Sequence, residues 1–246
     1  MGLNSGILVR WTKTYTTKGV VGKDVVELLK KSCVKLGVIV DDFVLINDTT
    51  GTLLCGAFED SDAVIGVING TGTNACYVED IEKVKKWKGD KTLTRMILNT
   101  EWGAFGENGE LEDITTPYDR EIDKFSNNVG QQIYEKMTSG MYIGELVRLM
   151  LLQICKKEKL FEPDLESALQ TPHSFPASLL SDSYSKQNFV DSFKLILNHG
   201  LTNEEYECIS YVCDQVAIRT ANISSIGLVA LLRRIKQKRC VIAGDG

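Results

Sequence analysis

Two apolar runs separated by a glycine-rich turn constrain the fold of this chain more than any other feature. Residues 63–68 lead into Gly70-Thr71-Gly72-Thr73-Asn74, and the apolar residues 75–78 follow directly. Short apolar runs joined by such a turn predict a β-hairpin. The turn also fits the dinucleotide pattern G-x-G-x-x-A, but that pattern requires a helix directly after it, and residues 75–78 favour a strand. Two interpretations stay open: a plain turn, or a turn whose backbone N–H groups approach an anion.

The remaining pattern predicts strands in the first half of the chain and helices in the second, which is typical of an α/β domain. Asp24 is placed to cap an early helix that begins at Val25. Further strands are expected at residues 5–11, 41–46, 52–58 and 240–243. Further helices are expected at residues 133–137 and 142–155, after Pro163, and at 189–197 and 204–236, the last in two segments meeting near 219–222.

Composition excludes several classes of function. The chain has 28 basic and 33 acidic residues among 246, a net charge of -5, so we expect no nucleic-acid partner. Seven cysteines without a C-x-x-C pair, and only two histidines, predict free thiols, no protein-bound metal and a reducing compartment, the cytoplasm. The most apolar stretch, residues 146–155, is too short to span a bilayer, so no membrane insertion is expected. Oligomerisation is left open.

Two runs of basic residues have a plain and a functional interpretation. The pattern favours solvated surface, with the second run at the C-terminal end of a helix, where the helix dipole favours cations. A site for a polyanion is the alternative. The two runs are Lys83, Lys85, Lys86, Lys88 and Lys91, and Arg233, Arg234, Lys236, Lys238 and Arg239.

Polar residues that follow the apolar run 44–46 are candidates for catalysis. Asn47 and Asp48 are expected to project from the end of a strand, a suitable place for a positioned general base. The same residue pair also suits an ordinary turn. Glu101 and Glu135 are equally ambiguous when each is considered alone, because most glutamates lie on the surface.

The combination of motifs is more informative than any one of them. Six segments occur in order: Trp11-Thr-Lys13, Asn47-Asp-Thr-Thr-Gly-Thr52, Gly70-Thr-Gly-Thr-Asn-Ala-Cys-Tyr77, Asn99-Thr-Glu-Trp-Gly-Ala-Phe-Gly106, Tyr118-Asp-Arg-Glu-Ile-Asp123 and residues 131–145. Together they resemble the hexokinase family of eukaryotic glucose and hexose kinases, from about residue 7 to residue 246. The resemblance implies a ribonuclease H-like, actin-like ATPase fold, mostly its large lobe. Residues 1–46 would be a remnant of the small domain, and residues 47–246 the large domain, truncated at its C-terminal end.

The resemblance also implies a reaction and a set of site residues. The reaction is the ATP-dependent phosphorylation of hexoses such as glucose at the 6-hydroxyl, the first step of glycolysis, with Mg²⁺ bridging the phosphates. Asp48 matches the base that takes the hydroxyl proton, with Lys13 as the second catalytic residue. The residues that match sugar contacts are Thr12, Lys13, Asn47, Asp48, Asn74, Glu101 and Glu135. Those that match ATP contacts are Gly70, Thr71, Gly72, Gly244 and Gly246.

Departures from the family pattern limit what the resemblance implies. Thr14-Tyr15, Pro117 and Val129 stand where the family has other residues. The family's first phosphate loop and the sugar-contacting Ser-Phe-Pro segment of its small lobe, which would precede residue 1, are absent from this sequence. We therefore expect a piece of a longer protein that does not phosphorylate glucose by itself. One alternative is a non-catalytic sugar sensor or scaffold, against which the intact Asp48 argues. The other, an unrelated dinucleotide-binding module, is disfavoured by the strand expected after Asn74.

Overall fold

The structure, a computed structural model, describes residues 3–11, 17–90, 92–158 and 161–246. Within these residues the chain forms nine α-helices and four β-strands. The helices are α1 (Val25–Lys35), α2 (Asp48–Glu59), α3 (Pro117–Lys124), α4 (Ile133–Thr138), α5 (Gly140–Lys157), α6 (Pro163–Leu169), α7 (Ser178–Asp182), α8 (Lys186–Leu197) and α9 (Asn203–Ile235). The strands are β1 (Ala63–Asn69), β2 (Thr73–Asp80), β3 (Arg95–Asn99) and β4 (Val241–Asp245).

The four strands form one mixed sheet in the order β3-β2-β1-β4. β1 and β2 pair antiparallel, with Ile68 opposite Asn74 and Asn69 opposite Thr73, so the glycine-rich turn closes a hairpin as predicted. β4 pairs parallel with β1 and ends with Asp245 opposite Ile68. The sheet therefore brings the end of β4 to the same edge as the turn.

Helix α2 packs against the sheet, and the predictions for this part of the sequence were wrong. Residues 52–58 are helical, and residues 41–46 belong to no strand ladder. The N-terminal strand expected at residues 5–11 is reduced to one isolated bridge between Ile7 and Asp24. A Cβ on Gly66 would lie 2.6 Å from the carbonyl oxygen of Thr49. The close approach of α2 to β1 therefore requires glycine at residue 66.

The larger core lies among the helices that follow the sheet. Ten side chains in it have at most 1% of their surface exposed: Val147, Leu151, Leu165, Leu169, Phe175, Leu179, Phe189, Phe193, Ile209 and Cys213. The helix α9 is continuous over 33 residues, so the break predicted near residues 219–222 is absent there. None of those four residues is a glycine or a proline, so nothing in them breaks the helix. The N-terminus of α9 is closed by a capping box between Thr202 and Glu205.

By length and composition alone, α9 could also cross a membrane. One such helix is weak evidence, because the core helix of a soluble protein passes the same test. Its residues Ile209, Val212, Cys213 and Val216 are buried in the helical core with residues of α5. These four residues pack as in a core helix, but only 17% of the most apolar 18-residue window of α9 is buried, so the absence of membrane insertion stays a prediction.

His199 follows α8 and makes hydrogen bonds to residues of α6 and α9. Its Nδ1 lies 3.0 Å from Asp164 Oδ2 at the start of α6, and its Nε2 lies 3.2 Å from Glu205 Oε1 in the first turn of α9. The hydrogen bond to His199 lowers the pKa of Asp164. Burial raises the pKa of Glu205, but hydrogen bonds from Thr202 and the proximity of His199 outweigh burial, so the pKa falls below its ordinary value.

These lowered pKa values predict a loss of stability in acid. A carboxylate whose pKa is lower in the folded chain stabilises the fold above its unfolded pKa, and this contribution is lost as the pH falls. Unfolding by urea should therefore become easier as the pH drops below the ordinary values, 4.5 for Glu205 and 3.8 for Asp164, towards the lower pKa values of the folded chain. Glu205→Gln should flatten this dependence, whereas Glu207→Gln, an exposed residue of the same helix, should leave it unchanged. Equal pH dependence in the two variants would contradict the assignment.

Candidate functional site

The N-terminus of α2 presents the candidate base. Asn47 is the N-cap, and its side-chain oxygen accepts hydrogen bonds from the N–H groups of Thr49 (3.0 Å) and Thr50 (3.4 Å). Asp48 is the first residue of the helix and is exposed, with Oδ1 2.8 Å from the Thr49 nitrogen. The helix dipole favours a negative charge at this end. A rigid helix thus presents the Asp48 carboxylate to a ligand, although the predicted strand end is absent.

A small polar cavity of about 170 Å³ lies in front of this helix end. Carboxylates and amides dominate its lining, and five of the residues matched to sugar contacts are among them. It is lined by Asn47, Asp48, Ile68, Gly72, Thr73, Asn74, Glu101, Gln132 and Glu135. These residues come from the start of α2 and its N-cap, the β1–β2 hairpin, the segment after β3, and α4 with the residue before it, so the fold assembles the cavity from distant parts of the sequence.

The Asn74 amide organises one wall of this cavity. Its Nδ2 donates to Thr49 Oγ1 at 2.9 Å and to Asn99 Oδ1 at 2.8 Å, and lies 3.3 Å from Glu101 Oε1. Asn99 in turn donates from Nδ2 to the same Glu101 oxygen at 2.6 Å. One carboxylate oxygen of Glu101 is therefore held by two amides, which fixes the orientation of the group towards a ligand.

Glu135 forms the opposite wall and is 6% exposed. Its Oε2 accepts a hydrogen bond from the backbone N–H of Thr73 at 2.9 Å. Thr73 is itself fixed, because Trp102 Nε1 donates to its Oγ1 at 3.0 Å and that hydroxyl donates to the Ile68 carbonyl at 3.1 Å. The carboxylate is thereby anchored to the first residue of β2.

Two residues of the cavity have a backbone conformation that residues other than glycine rarely adopt. Glu101 has φ 49° and Gln132 has φ 54°, both in the left-handed region. Such residues cost about 1–3 kcal/mol each and cluster at functional sites. Gln132 is 8% exposed, and its backbone N–H donates to Glu107 Oε1 at 2.9 Å, so the surrounding structure holds this conformation in place.

The glycine-rich turn lies beside the cavity, supported from behind by α5. The N–H groups of Gly140 and Met141 donate to the carbonyls of Gly70 (2.8 Å) and Thr71 (3.3 Å). A Cβ on Gly246 would lie 2.5 Å from the Asn69 carbonyl oxygen, so only glycine allows the end of β4 to approach the turn this closely. Gly246 is thus brought to the turn, while Gly244 lies within β4, opposite Val67.

The structure places most of the predicted site residues together. Asn47, Asp48, Asn74, Glu101 and Glu135 surround one cavity, and Gly70, Thr71, Gly72 and Gly246 meet at its edge. Thr12 and Lys13 lie outside the described residues. Four further site residues were missed as candidates: Thr49, Thr73, Asn99 and Gln132. All four lie inside the motifs quoted above, but only the fold shows which motif residues face the cavity.

No metal-binding cluster of three or more histidine, cysteine or carboxylate residues is present in the described part of the chain. The cysteines at 33, 55, 76, 155, 208, 213 and 240 are all free thiols. Cys76 lies beneath the site, and burial raises the pKa of its thiol. The protonated thiol is placed to donate to the carbonyl oxygen of Thr49 at 3.2 Å.

Comparison with family models gives two matches that together cover nearly the whole chain. Two models, both described as hexokinase, match residues 1–58 and residues 64–246. Among curated proteins, hexokinase-1 of Homo sapiens is 42% identical over 241 residues, and hexokinase-2 of Rattus norvegicus is 40% identical over 241 residues. Each alignment covers 96% of this chain and 26% of the relative, so the chain spans about a quarter of the length of these proteins.

Solved structures include close matches to the fold. The hexokinase from Schistosoma mansoni complexed with glucose matches with a TM-score of 0.89 and 37% identity, over 100% of this chain and 56% of that one. A second hexokinase crystal structure matches with a TM-score of 0.76 and 29% identity, over 99% of this chain and 54% of that one. Both therefore share the fold over essentially all of the present chain.

Proposed function

Because the chain belongs to the hexokinase family, we propose that it serves the phosphorylation of a hexose at the 6-hydroxyl, with ATP and Mg²⁺ as the phosphoryl donor. This reaction is the first step of glycolysis. The hexokinase fold predicted from the motifs, an actin-like ATPase fold, is confirmed by the solved hexokinases. The observation that carries the proposal is the polar cavity in which Asp48 lies together with Asn47, Asn74, Glu101 and Glu135.

The lining of the cavity suits a neutral polyol such as glucose. Each sugar hydroxyl is both a donor and an acceptor, and ionised carboxylates accept while amides can do both. Glu101 and Glu135 are held in place by Asn99 and Thr73, so these acceptors are oriented before the sugar arrives. The glucose complex of the Schistosoma mansoni hexokinase supports glucose as the hexose.

Asp48 is the proposed general base. The exposed Asp48 carboxylate borders the cavity where a sugar hydroxyl would lie, and a carboxylate oxygen can accept the proton of that hydroxyl. When the oxygen of that hydroxyl attacks the terminal phosphorus of ATP, the bond from this phosphorus to the bridging oxygen breaks and ADP leaves, while the hydroxyl proton passes to Asp48. The protein's remaining contribution is positioning, because phosphoryl transfer depends mainly on alignment and on stabilising charge.

The glycine-rich turn is the proposed contact for the ATP phosphates. In the turn Gly70-Thr71-Gly72, the Gly70 N–H donates to the Gly72 carbonyl at 3.0 Å and closes the turn. The N–H groups of Thr71 and Gly72 and the Thr71 hydroxyl are the groups proposed to contact the phosphates, and Gly246 permits close approach from β4. Mg²⁺ enters as part of the substrate, bound to the phosphates. Free cysteines throughout the described residues support a reducing compartment, and we propose the cytoplasm.

A coupled enzyme assay on the full-length natural protein that contains this chain tests the proposal. With Mg-ATP and glucose, sugar 6-phosphate should form, whereas 6-deoxyglucose, which lacks the accepting hydroxyl, should bind without turnover. Glucose binding without phosphate transfer would instead indicate a sugar sensor. Absence of both binding and turnover would overturn the proposal.

A further inference from the structure

The two basic runs, far apart in the sequence, meet at one end of the sheet. Glu79 of β2 is 4% exposed and connects them. Arg234 Nε lies 2.6 Å from its Oε2, and Lys83 Nζ lies 3.6 Å from its Oε1. A buried carboxylate thus fixes the C-terminal end of α9 next to the start of the loop between β2 and β3.

We call the resulting surface the basic patch. It consists of nine exposed basic side chains: Lys83, Lys85, Lys86, Lys88, Arg95, Arg233, Arg234, Lys236 and Lys238. The acidic residues of the same segments, Glu79, Asp80, Glu82 and Asp90, are fewer. The patch therefore has a local positive excess on a chain whose net charge is -5. Such a local excess attracts an anionic partner even when the net charge does not.

The loop also exposes apolar surface among its lysines. Trp87 lies between Lys86 and Lys88 and is 38% exposed, and Leu93 is 47% exposed. The Trp87 indole is held in place, because its Nε1 donates to the Asp90 carbonyl at 3.0 Å. An exposed leucine gains nothing against the phosphates of a nucleic acid. Basic, aromatic and aliphatic side chains on one loop do match the interfacial region of a bilayer.

From this juxtaposition we propose that the basic patch docks the protein peripherally on an anionic lipid bilayer. Lysine ammonium groups attract acidic headgroups, and Trp87 and Leu93 enter the interface between them. The 8-residue strand β2 carries Thr73 at the cavity and Asp80 at the patch, so at ~3.3 Å per residue the two ends lie roughly 20 Å apart. Docking therefore leaves the cavity open to solvent, and the proposal does not depend on the proposed function.

Vesicle sedimentation tests this inference with the natural-length protein. The protein should bind vesicles of phosphatidylcholine with about 30% phosphatidylserine, bind pure phosphatidylcholine weakly, and dissociate in about 0.5 M salt. Replacing Lys85, Lys86 and Lys88 by glutamate should lower the partition coefficient at least about tenfold. Lys31, Lys156 and Lys157 are exposed elsewhere on the surface. Replacing these three by glutamate changes the net charge by the same amount and should leave the partition coefficient nearly unchanged.

Several results would overturn the proposal. They are equal loss of binding in the two triple variants, equal binding to neutral and acidic vesicles, or binding that salt does not change. Tighter binding to single-stranded DNA or to an acidic peptide than to the vesicles would assign the patch to another class of partner. Salt dependence of the unmodified protein requires no variant, so the test stands even if a triple variant fails to fold.

Discussion

Replacement of Asp48 by asparagine should lower kcat at least about 100-fold in the natural-length protein, with a much smaller change in sugar affinity. Asparagine keeps an oxygen that can accept the hydrogen bond from the Thr49 nitrogen, so the start of α2 is preserved. What is lost is the negative charge that receives the hydroxyl proton. Steady-state kinetics with glucose, together with calorimetric binding of glucose, separates the two effects.

The control for this prediction is another exposed aspartate. Asp113 lies in the short 3-10 turn Glu112–Ile114, away from the cavity, and Asp113→Asn should leave kcat unchanged. Asp48→Ala should be as inactive as Asp48→Asn. A kcat near that of the unmodified protein in either Asp48 variant would rule out the carboxylate as the base.

Replacement of Glu101 or Glu135 by glutamine should weaken glucose binding by about 1–3 kcal/mol each, because a charged acceptor becomes a neutral one. Glutamine can still accept the hydrogen bonds from Asn99 and from the Thr73 nitrogen, so the loss reports on the ligand and not on the fold. Calorimetric titration with glucose measures the change.

A matched control is Glu112→Gln, which removes an exposed glutamate paired with Arg120 outside the cavity. Its glucose affinity should equal that of the unmodified protein. If Glu101→Gln and Glu135→Gln also bound glucose normally, the two carboxylates would be structural acids that hold Asn74 and Thr73 in place.

The hairpin and most helices could be predicted from the sequence, because their signals are local. The glycine-rich turn between residues 63–68 and 75–78 specifies its own geometry, and Asp24 caps α1 as expected. Helix α2 was mistaken for strand because its Gly51 and Gly56 lower helix propensity. Gly56 is required where the helix packs closely on the sheet, because a Cβ at this residue would lie 2.4 Å from the Ala243 Cβ.

The geometry of the site could not be predicted to the same extent. Motif resemblance named Glu101 and Glu135, but the left-handed conformations of Glu101 and Gln132 arise from tertiary contacts that leave no sign in the local sequence. Likewise, the meeting of Lys83 and Arg234 at Glu79 depends on where α9 ends relative to β2. The sequence indicates which residues are polar, and the fold determines which of them meet.

Thr73 connects the Glu135 carboxylate to the glycine-rich turn, and this connection could couple the binding of the sugar to the binding of the nucleotide. Its nitrogen holds the Glu135 carboxylate, and it directly follows Gly72 of the turn. Any shift of Glu135 on sugar binding would therefore be transmitted through this hydrogen bond to the turn at which the phosphates would bind. Thermodynamic linkage then requires reciprocity: whatever factor the sugar imposes on nucleotide affinity, the nucleotide imposes on sugar affinity. Synergy between the two substrates would thus pass through the backbone amide of Thr73.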